Sequence, residues 1–469
     1  MQNKNKLDRR IKQAYDSFDV DFANVNFKEH IEKKILGYQT LHVLNLISIF
    51  KKDNTICGVD FSATGTGKTY TTIALCGQMD LEPIIICPKS VICYWKDVCD
   101  YFKVKPKTII NYESIKKGKE LDDDMEKKKS DMVVIEDNKF VWKNIDKNKN
   151  IIIFDEAHRC KNKNSLNGKL LLSAKNVCRI LLLSATIAQK YDDFLIFGYM
   201  LDFYRQIKSG KQWIESVMRE DLFKFSSKSE TQLATYLYPK KGSRMSYSDM
   251  SKSLNKNNIS TQCYSLDDKS LKLIEGCYTN IKTKGESLTN QLTARQKIET
   301  LKLPIFVDLI EKYLDVGKSV VVFVNFVNSL NELLKYFNKK NIDCGYVCGD
   351  QSIEERRDCI EKFQNNNIKL IICTISSGSE SISLHDVDGD HPRISLISPS
   401  FSGKDLCQAL GRIYRTGVKS MVEQKIIFCD ETTERLICST LKDKIKFLNN
   451  FADYDKFDSN MLDVEVPKH

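Results

Sequence analysis

Two successive α/β units, each built around a parallel sheet, are the fold this sequence predicts, and three observations carry the prediction. Apolar runs of strand length recur with helical stretches between them, as sheets buried on both faces require. Such runs stand at 56–61, 151–154 and 179–183 in the first half, and at 319–324 and 369–373 in the second. Most of them end in small, hydroxyl or acidic residues, the types that line the carboxyl edge where open α/β sheets bind ligands. The chain of 469 residues is also long enough for two or three domains with separate cores.

The first run, Ile56 to Phe61, leads directly into Ser62-Ala63-Thr64-Gly65-Thr66-Gly67-Lys68-Thr69, after which a helical pattern continues through Thr71, Ile73 and Leu75. Strand, glycine loop and helix in that order form a phosphate cradle. The two glycines permit a tight turn, and the backbone N–H groups and helix N-terminus face an anion. Lys68 is expected on the β/γ-phosphates of ATP and the Thr69 hydroxyl on Mg2+. Ser62 stands where the general pattern has its first glycine. Asp155 and Glu156 follow the run 151–154. Neighbours at a strand end point apart, so Asp155 is expected to hold Mg2+ through water and Glu156 to deprotonate the attacking water. His158 reads either as a surface histidine or as a coupling residue. Ser184-Ala185-Thr186 ends the next strand, Arg179 to Leu183.

In the second half a strand at 319–324 is followed by helical stretches at 327–337 and 353–363 and by a strand at 369–373. Thr374 and the small residues Ser376, Ser377, Gly378 and Ser379 come next, a run that either approaches a line of phosphates or forms a flexible loop. Ser402-Gly403-Lys404-Asp405 has the form of a helix-opening capping box. Gln408, Arg412 and Arg415 are spaced four and three apart and are expected on one face of that helix, with Gly417 as its C-terminal cap. The two arginines are expected as arginine fingers for a γ-phosphate held by the first unit.

In this order the motifs resemble those of the superfamily 2 helicases and translocases, in particular their DEAH-box and Snf2-like members. The resemblance runs from about residue 30 to about residue 430. It implies two tandem RecA-like domains, a nucleic-acid-dependent ATPase activity, and the cofactors ATP and Mg2+. Leu36-Gly37-Tyr38-Gln39 is similar to the adenine-reading glutamine motif, which implies Gln39 as the base contact. The segment 85–90, with Pro88 and Lys89, and the segment 109–113, with Asn111, resemble elements that touch a nucleic-acid backbone; Thr374 and Gly378 would join them from the second domain. Asp155-Glu156-Ala157-His158 is close to the Snf2-type acidic box. Ser184-Ala185-Thr186 is the helicase form of the motif that couples hydrolysis to movement. Ile187 stands where a proline is common, and the match over 374–384 is loose. The segment 408–417 resembles the last helicase motif closely. The lean, Lys-, Asn- and Ile-rich core also resembles compact helicases of large DNA viruses that work in transcription.

Lys and Arg number 72 against 62 Asp and Glu, a net charge of +10, which suits a phosphate-bearing partner such as DNA or RNA. The 16 cysteines include no Cys-x-x-Cys pair and several sit in apolar runs, so they read as buried thiols of an intracellular chain. No apolar run is long enough to cross a bilayer, and a soluble monomer is expected. The expected organisation is a polar tail at 1–26, an ATP-binding domain at 27–204, a mostly helical connector at 205–300, a second RecA-like domain at 301–450 and a tail at 451–469. The charged stretch 116–129 is expected as an exposed loop or short helix. Three functions compete: a strand-separating helicase, a duplex translocase that displaces proteins, and a nucleotide-gated binding scaffold.

Overall fold

The computed structural model describes residues 27–51, 56–121, 127–188, 190–219, 230–245, 256–266, 269–270, 272, 288–378, 382–400, 402–429, 434 and 437–444. The expected tails at 1–26 and 451–469 lie outside these residues. The described residues fall into two compact units, 27–245 and 256–444.

The first unit opens with a single helical turn (Glu29–Glu32) and helix α1 (Gly37–Lys51), then strand β1 (Cys57–Asp60), helix α2 (Lys68–Gln78), strand β2 (Glu82–Cys87), helix α3 (Ile92–Phe102) and strand β3 (Thr108–Asn111). Two short antiparallel ribbons follow, β4 (Lys119–Leu121) with β5 (Lys127–Lys129) and β6 (Val133–Glu136) with β7 (Lys139–Trp142). The main sheet resumes with β8 (Asn150–Asp155), helix α4 (Leu166–Ser173), β9 (Arg179–Leu183), helices α5 (Tyr191–Met200), α6 (Gly210–Arg219) and α7 (Glu230–Leu237), and the edge strand β10 (Gly242–Ser243). Its six strands run in the order β10-β1-β9-β8-β2-β3, all parallel.

The Ile-rich run of β8 sits at the centre of this sheet and is buried from Asn150 to Phe154. Each fully buried Ile or Leu there contributes about 1.5–3 kcal/mol relative to exposure. Helices on both faces bury the alternate residues: Ile152 and Phe154 pack on one side, Ile151 and Ile153 on the other. The charged stretch 116–129, expected as a loop or short helix, instead carries the first ribbon. The second ribbon is fastened to α4, where Trp142 Nε1 donates to Ser173 Oγ at 2.9 Å.

The second unit begins with β11 (Asn257–Tyr264), helix α8 (Leu288–Asp315), β12 (Ser319–Val324), α9 (Val327–Lys339), β13 (Cys344–Val347), α10 (Ile353–Gln364) and β14 (Leu370–Thr374). It continues with β15 (Arg393–Ile397), α11 (Gly403–Ile413) and β16 (Val422–Cys429). The strand order is β11-β16-β15-β12-β14-β13, again all parallel. Helix α8 is seated by a buried polar cluster. Lys302 Nζ donates to Glu434 Oε1 at 2.6 Å and to Ser398 Oγ at 3.0 Å, while Glu299 accepts from the backbone N of Asn325 and Phe326 at the start of α9. Buried charges persist only when each is paired and hydrogen-bonded, as here.

The expected boundaries differ from the observed ones in the middle of the chain. The span 205–300, expected as a mostly helical connector, is divided between the two units, and it supplies an edge strand to each sheet. Neither strand could announce itself. β10 is two residues long, and β11 lies at an edge with its alternate residues exposed or half-buried, so it carries no apolar run. Gly242 is required in β10, because a Cβ there would meet Val59 Cγ2 at 2.3 Å and Val59 O at 2.9 Å.

Candidate active site

The glycine loop joins β1 to α2 at the carboxyl edge of the first sheet. Gly67, at φ +91, caps the helix in a conformation that L side chains rarely adopt. A Cβ at this position would also lie 2.4 Å from Gln39 Nε2. Thr66 Oγ1 donates to Ala63 O at 2.8 Å, closing the turn. Lys68 Nζ donates to Ser62 O at 2.9 Å and Ala63 O at 3.2 Å, so the lysine is folded over its own loop, where a bound phosphate would meet it. Thr69 is half-buried at the second position of α2. Gln39, expected as a base contact, is buried. It accepts from Leu36 N at 2.9 Å and donates to Thr66 O at 3.1 Å, and Tyr38 Oη donates to the same carbonyl at 3.2 Å. The glutamine therefore braces the loop.

Asp155 and Glu156 stand at the end of β8, two strands from β1. Glu156 has φ +52, a left-handed conformation that is uncommon for a non-glycine residue and is found at functional sites. Asp155 Oδ2 accepts from Trp95 Nε1 at 2.9 Å, and its backbone O accepts from Tyr112 Oη at 2.7 Å. Burial and the adjacent Glu156 carboxylate push the Asp155 carboxyl up to about 7, against the Trp95 hydrogen bond and the charge of Lys68. A buried carboxylate beside a second one, with the hydroxyl of Thr69 in the first turn of α2, is the hard-oxygen donor chemistry that suits Mg2+.

His158 is buried and is not a surface histidine. Its Nδ1 lies 3.1 Å from Glu156 Oε2 and 3.1 Å from Ser184 Oγ. The acidic box and the Ser184-Ala185-Thr186 motif are thus joined through one imidazole within the first unit. Ser184 N also donates to Asp60 O at 3.2 Å, and Thr186 N to Ser184 Oγ at 3.3 Å. The residues expected on a nucleic-acid backbone are mixed in their placement. Lys89 is exposed at the carboxyl end of β2, whereas Pro88 is buried. Asn111 is 3% exposed, and its side chain caps the short helix after β3 by accepting from Ser114 N at 2.8 Å. Thr374 is buried at the end of β14, and Gly378 ends the helical turn that follows.

In the second unit, Ser402 Oγ caps α11 by accepting from Asp405 N at 3.2 Å. The helix ends at Ile413 with Tyr414 in extended backbone, so Arg415, expected on its face, lies beyond it. Gly417, expected as the helix cap, instead occupies the positive-φ position of the turn closed by Val418 N to Arg415 O. The two arginines still converge. Arg412 Nη1 and Arg415 Nη1 each donate to Ile382 O at 3.1 Å, and Arg415 Nη1 also reaches Ser383 Oγ at 2.5 Å. Gln408 is buried on the same helix.

His385 lies in the same segment. Burial, with the cations of Arg415 and Arg393 and against the nearby Asp386, pushes its imidazole down to about 4 from an ordinary 6.5. The folded chain therefore keeps this ring neutral while the unfolded chain protonates it. Its contribution to stability is complete above the unfolded value and is lost as pH falls through the folded one. The unfolding midpoint of the second unit is expected to drop between pH 7.5 and pH 4.5, and to drop less in His385→Gln. Thermal unfolding at several pH values checks this.

Sequence did not single out Trp95, Tyr112, His42 or Asp60 for the contacts they make: Trp95 and Tyr112 bond to Asp155, Asp60 to the loop at Ser62 N, and His42 to Asp60. Of these, His42 left a signal: with Gln39 and Asn45 it makes a polar stripe at every third position of a largely apolar helix.

Comparison with known proteins agrees with this arrangement. Residues 32–189 match the family model of the type III restriction enzyme res subunit, and residues 302–417 match that of the helicase conserved C-terminal domain. A protein of Acanthamoeba polyphaga mimivirus named as an ATP-dependent RNA helicase is 34% identical, over 92% of this chain and 86% of its own length. The ISWI chromatin-remodeling complex ATPase ISW1 of Saccharomyces cerevisiae is 22% identical over 91% of this chain, but the chain spans only 41% of that protein. In fold, the chain is similar to an S. cerevisiae Dbp5 variant bound to RNA and ADP BeF3, with a TM-score of 0.50 at 13% identity, covering 94% of this chain and 96% of the other. Two parallel α/β units in tandem, a braced glycine loop facing an acidic box, and a relative of this similarity over nearly its whole length place the chain among the superfamily 2 helicases, as a nucleic-acid-dependent ATPase.

Proposed function

We propose that the chain uses ATP hydrolysis to move along and separate RNA strands. The observation that supports this most is the single imidazole of His158, whose Nδ1 lies 3.1 Å from both Glu156 Oε2 and Ser184 Oγ. Lys68 and the loop N–H groups hold the triphosphate, and Glu156 takes the proton of the attacking water. Thr69 and Asp155 would hold Mg2+, which supplies charge neutralisation on the phosphates. When Glu156 gains a proton, its contact with His158 Nδ1 must change, and Ser184, 3.1 Å from the same nitrogen, receives that change. Arg412, Arg415 and Gln408 are the proposed stabilisers of the transition state, and Lys89 and Gly378 the proposed contacts to the strand. RNA is the proposed track because the mimivirus relative, similar over nearly its whole length, is named as an RNA helicase.

A duplex DNA translocase is the second reading, favoured by the similarity to the ISW1 remodeller. Steady-state ATPase with single-stranded RNA, single-stranded DNA and duplex DNA, run beside a strand-displacement assay, separates the two. RNA is expected to stimulate most, with displacement of an annealed strand. Stimulation by duplex DNA alone, without displacement, supports the translocase, and no stimulation by any of them leaves the binding scaffold. A role in transcription is proposed with the RNA reading, and an RNA polymerase elongation complex serves as the fourth substrate of the panel. Phosphate contacts dominate such binding, so stimulation should fall steeply with salt.

A further inference from the structure

The polar stripe of α1 touches three separate parts of the nucleotide site. Gln39 reaches the loop at Thr66 O, His42 Nε2 lies 2.9 Å from Asp60 Oδ2, and Asn45 Nδ2 donates to Gly242 O of β10 at 3.0 Å. Asp60, the last residue of β1, then accepts from Ser62 N with Oδ1 at 2.9 Å. Both members of the His42–Asp60 pair are almost wholly inaccessible, with side chains 2% and 0% exposed. Burial by itself pushes the Asp60 carboxyl up, but His42, Lys68 and Ser62 together hold it below the ordinary carboxylate range.

A buried carboxylate is costly wherever an apolar residue would fit, so its partners indicate what it does there. One partner is the ring that fixes it to α1; the other is the first peptide of the glycine loop. The residue held in this way also supplies Ser62 O, which together with Ala63 O accepts from Lys68 Nζ. The loop is tied a second time on its other side, where Met245 N donates to Ser62 Oγ at 2.8 Å and Ala63 N to Met245 O at 3.0 Å. Ser62 therefore sits between the Asp60 carboxylate and the segment that follows β10.

We infer that Asp60, held by His42, is a positioning residue for ATP: it fixes the Ser62 peptide so that the glycine loop is formed before the triphosphate arrives. The inference rests on the ATP-site reading above. Neither residue touches the nucleotide in this role. Their effect is preorganisation, which lowers the ordering that binding would otherwise require. Loss of the tie should therefore raise KM for ATP far more than it lowers kcat.

The test uses the full chain, with ATPase measured at saturating single-stranded RNA and thermal unfolding measured in parallel. Asp60→Ala is expected to raise KM for ATP about tenfold or more, with kcat falling less than about threefold. Asp60→Asn is expected to stay within about threefold of the parent KM. Its amide oxygen can still accept from Ser62 N, and His42 can switch tautomer because its Nδ1 has no other hydrogen bond. Val43→Ala, in the apolar face of the same helix, should lower thermal stability and leave KM unchanged. If Asp60→Ala does not fold, His42→Leu takes its place, with a KM rise of about threefold to tenfold expected. The inference is overturned if folded Asp60→Ala, or His42→Leu in its place, keeps the parent KM, or if Val43→Ala raises KM as much as they do. Lys68→Ala separates the two levels: if that variant still turns over ATP normally, the site reading has failed, whatever Asp60 does.

Discussion

Glu156→Gln should bind ATP and fail to hydrolyse it, whereas Lys68→Ala should fail at both. The glutamine keeps the size of the side chain and can still donate or accept at His158, 3.1 Å from Oε2, so the left-handed turn at 156 and the link to Ser184 survive. What disappears is the base, and a general base contributes about a hundredfold to ten-thousandfold. In addition the substitution removes the neighbouring charge that, after burial, contributes most to raising the Asp155 carboxyl, so Asp155 should ionise more readily in the variant. Nucleotide affinity in Glu156→Gln is therefore expected to equal or exceed that of the parent. Lys68 differs because its Nζ belongs to the loop itself, bonded to Ser62 O and Ala63 O. Alanine leaves those carbonyls facing the phosphates with no cation between, and ATP binding should fall along with turnover. Fluorescent nucleotide binding and steady-state hydrolysis of both variants check the split. Hydrolysis at the parent rate in Glu156→Gln would remove Glu156 from its assigned role.

How much of this was legible in the sequence depends on the range of each interaction. The central strands were plain, because β8 and β12 are buried on both faces and must be apolar throughout. The loop, the acidic box and the Ser-Ala-Thr motif were plain for another reason: each function is carried by a few consecutive residues at one strand end. Trp95 and Tyr112 were not legible as supports of Asp155, since they lie 60 and 43 residues from it and no local pattern links them. Strand β11 escaped because an edge strand needs no apolar run, and the reading of 205–300 as a connector followed from that omission. The spacing of Gln408, Arg412 and Arg415 suggested one continuous helical face. The helix stops at Ile413, and a long-range contact to the carbonyl of Ile382 holds Arg415 instead. A sequence thus reveals what local periodicity and strand-end chemistry determine, and conceals hydrogen bonds made across the sheet.

Arg415→Ala and Arg412→Ala are expected to differ, and the difference tests the proposed role of the second unit in catalysis. Both guanidiniums donate to Ile382 O, but Arg412 is 4% exposed while Arg415 is half-buried and also bonded to Ser383 Oγ. Removing Arg415 takes away a cation that can leave its present partners for a phosphate, because a second donor, from Arg412, still satisfies the Ile382 carbonyl. The loss should fall on kcat, by about a thousandfold if the side chain acts as an arginine finger, with KM for ATP and the unfolding temperature nearly unchanged. Removing Arg412 opens a hole in a buried polar cluster, so both kcat and thermal stability should fall. Arg415→Lys is the sharper control. Lysine keeps the charge but not the planar fork, so a finger that needs two directed donors should stay mostly inactive. A purely structural arginine in this position would give the opposite pattern, with Arg415→Ala lowering the unfolding temperature while kcat at saturating ATP stays close to the parent value.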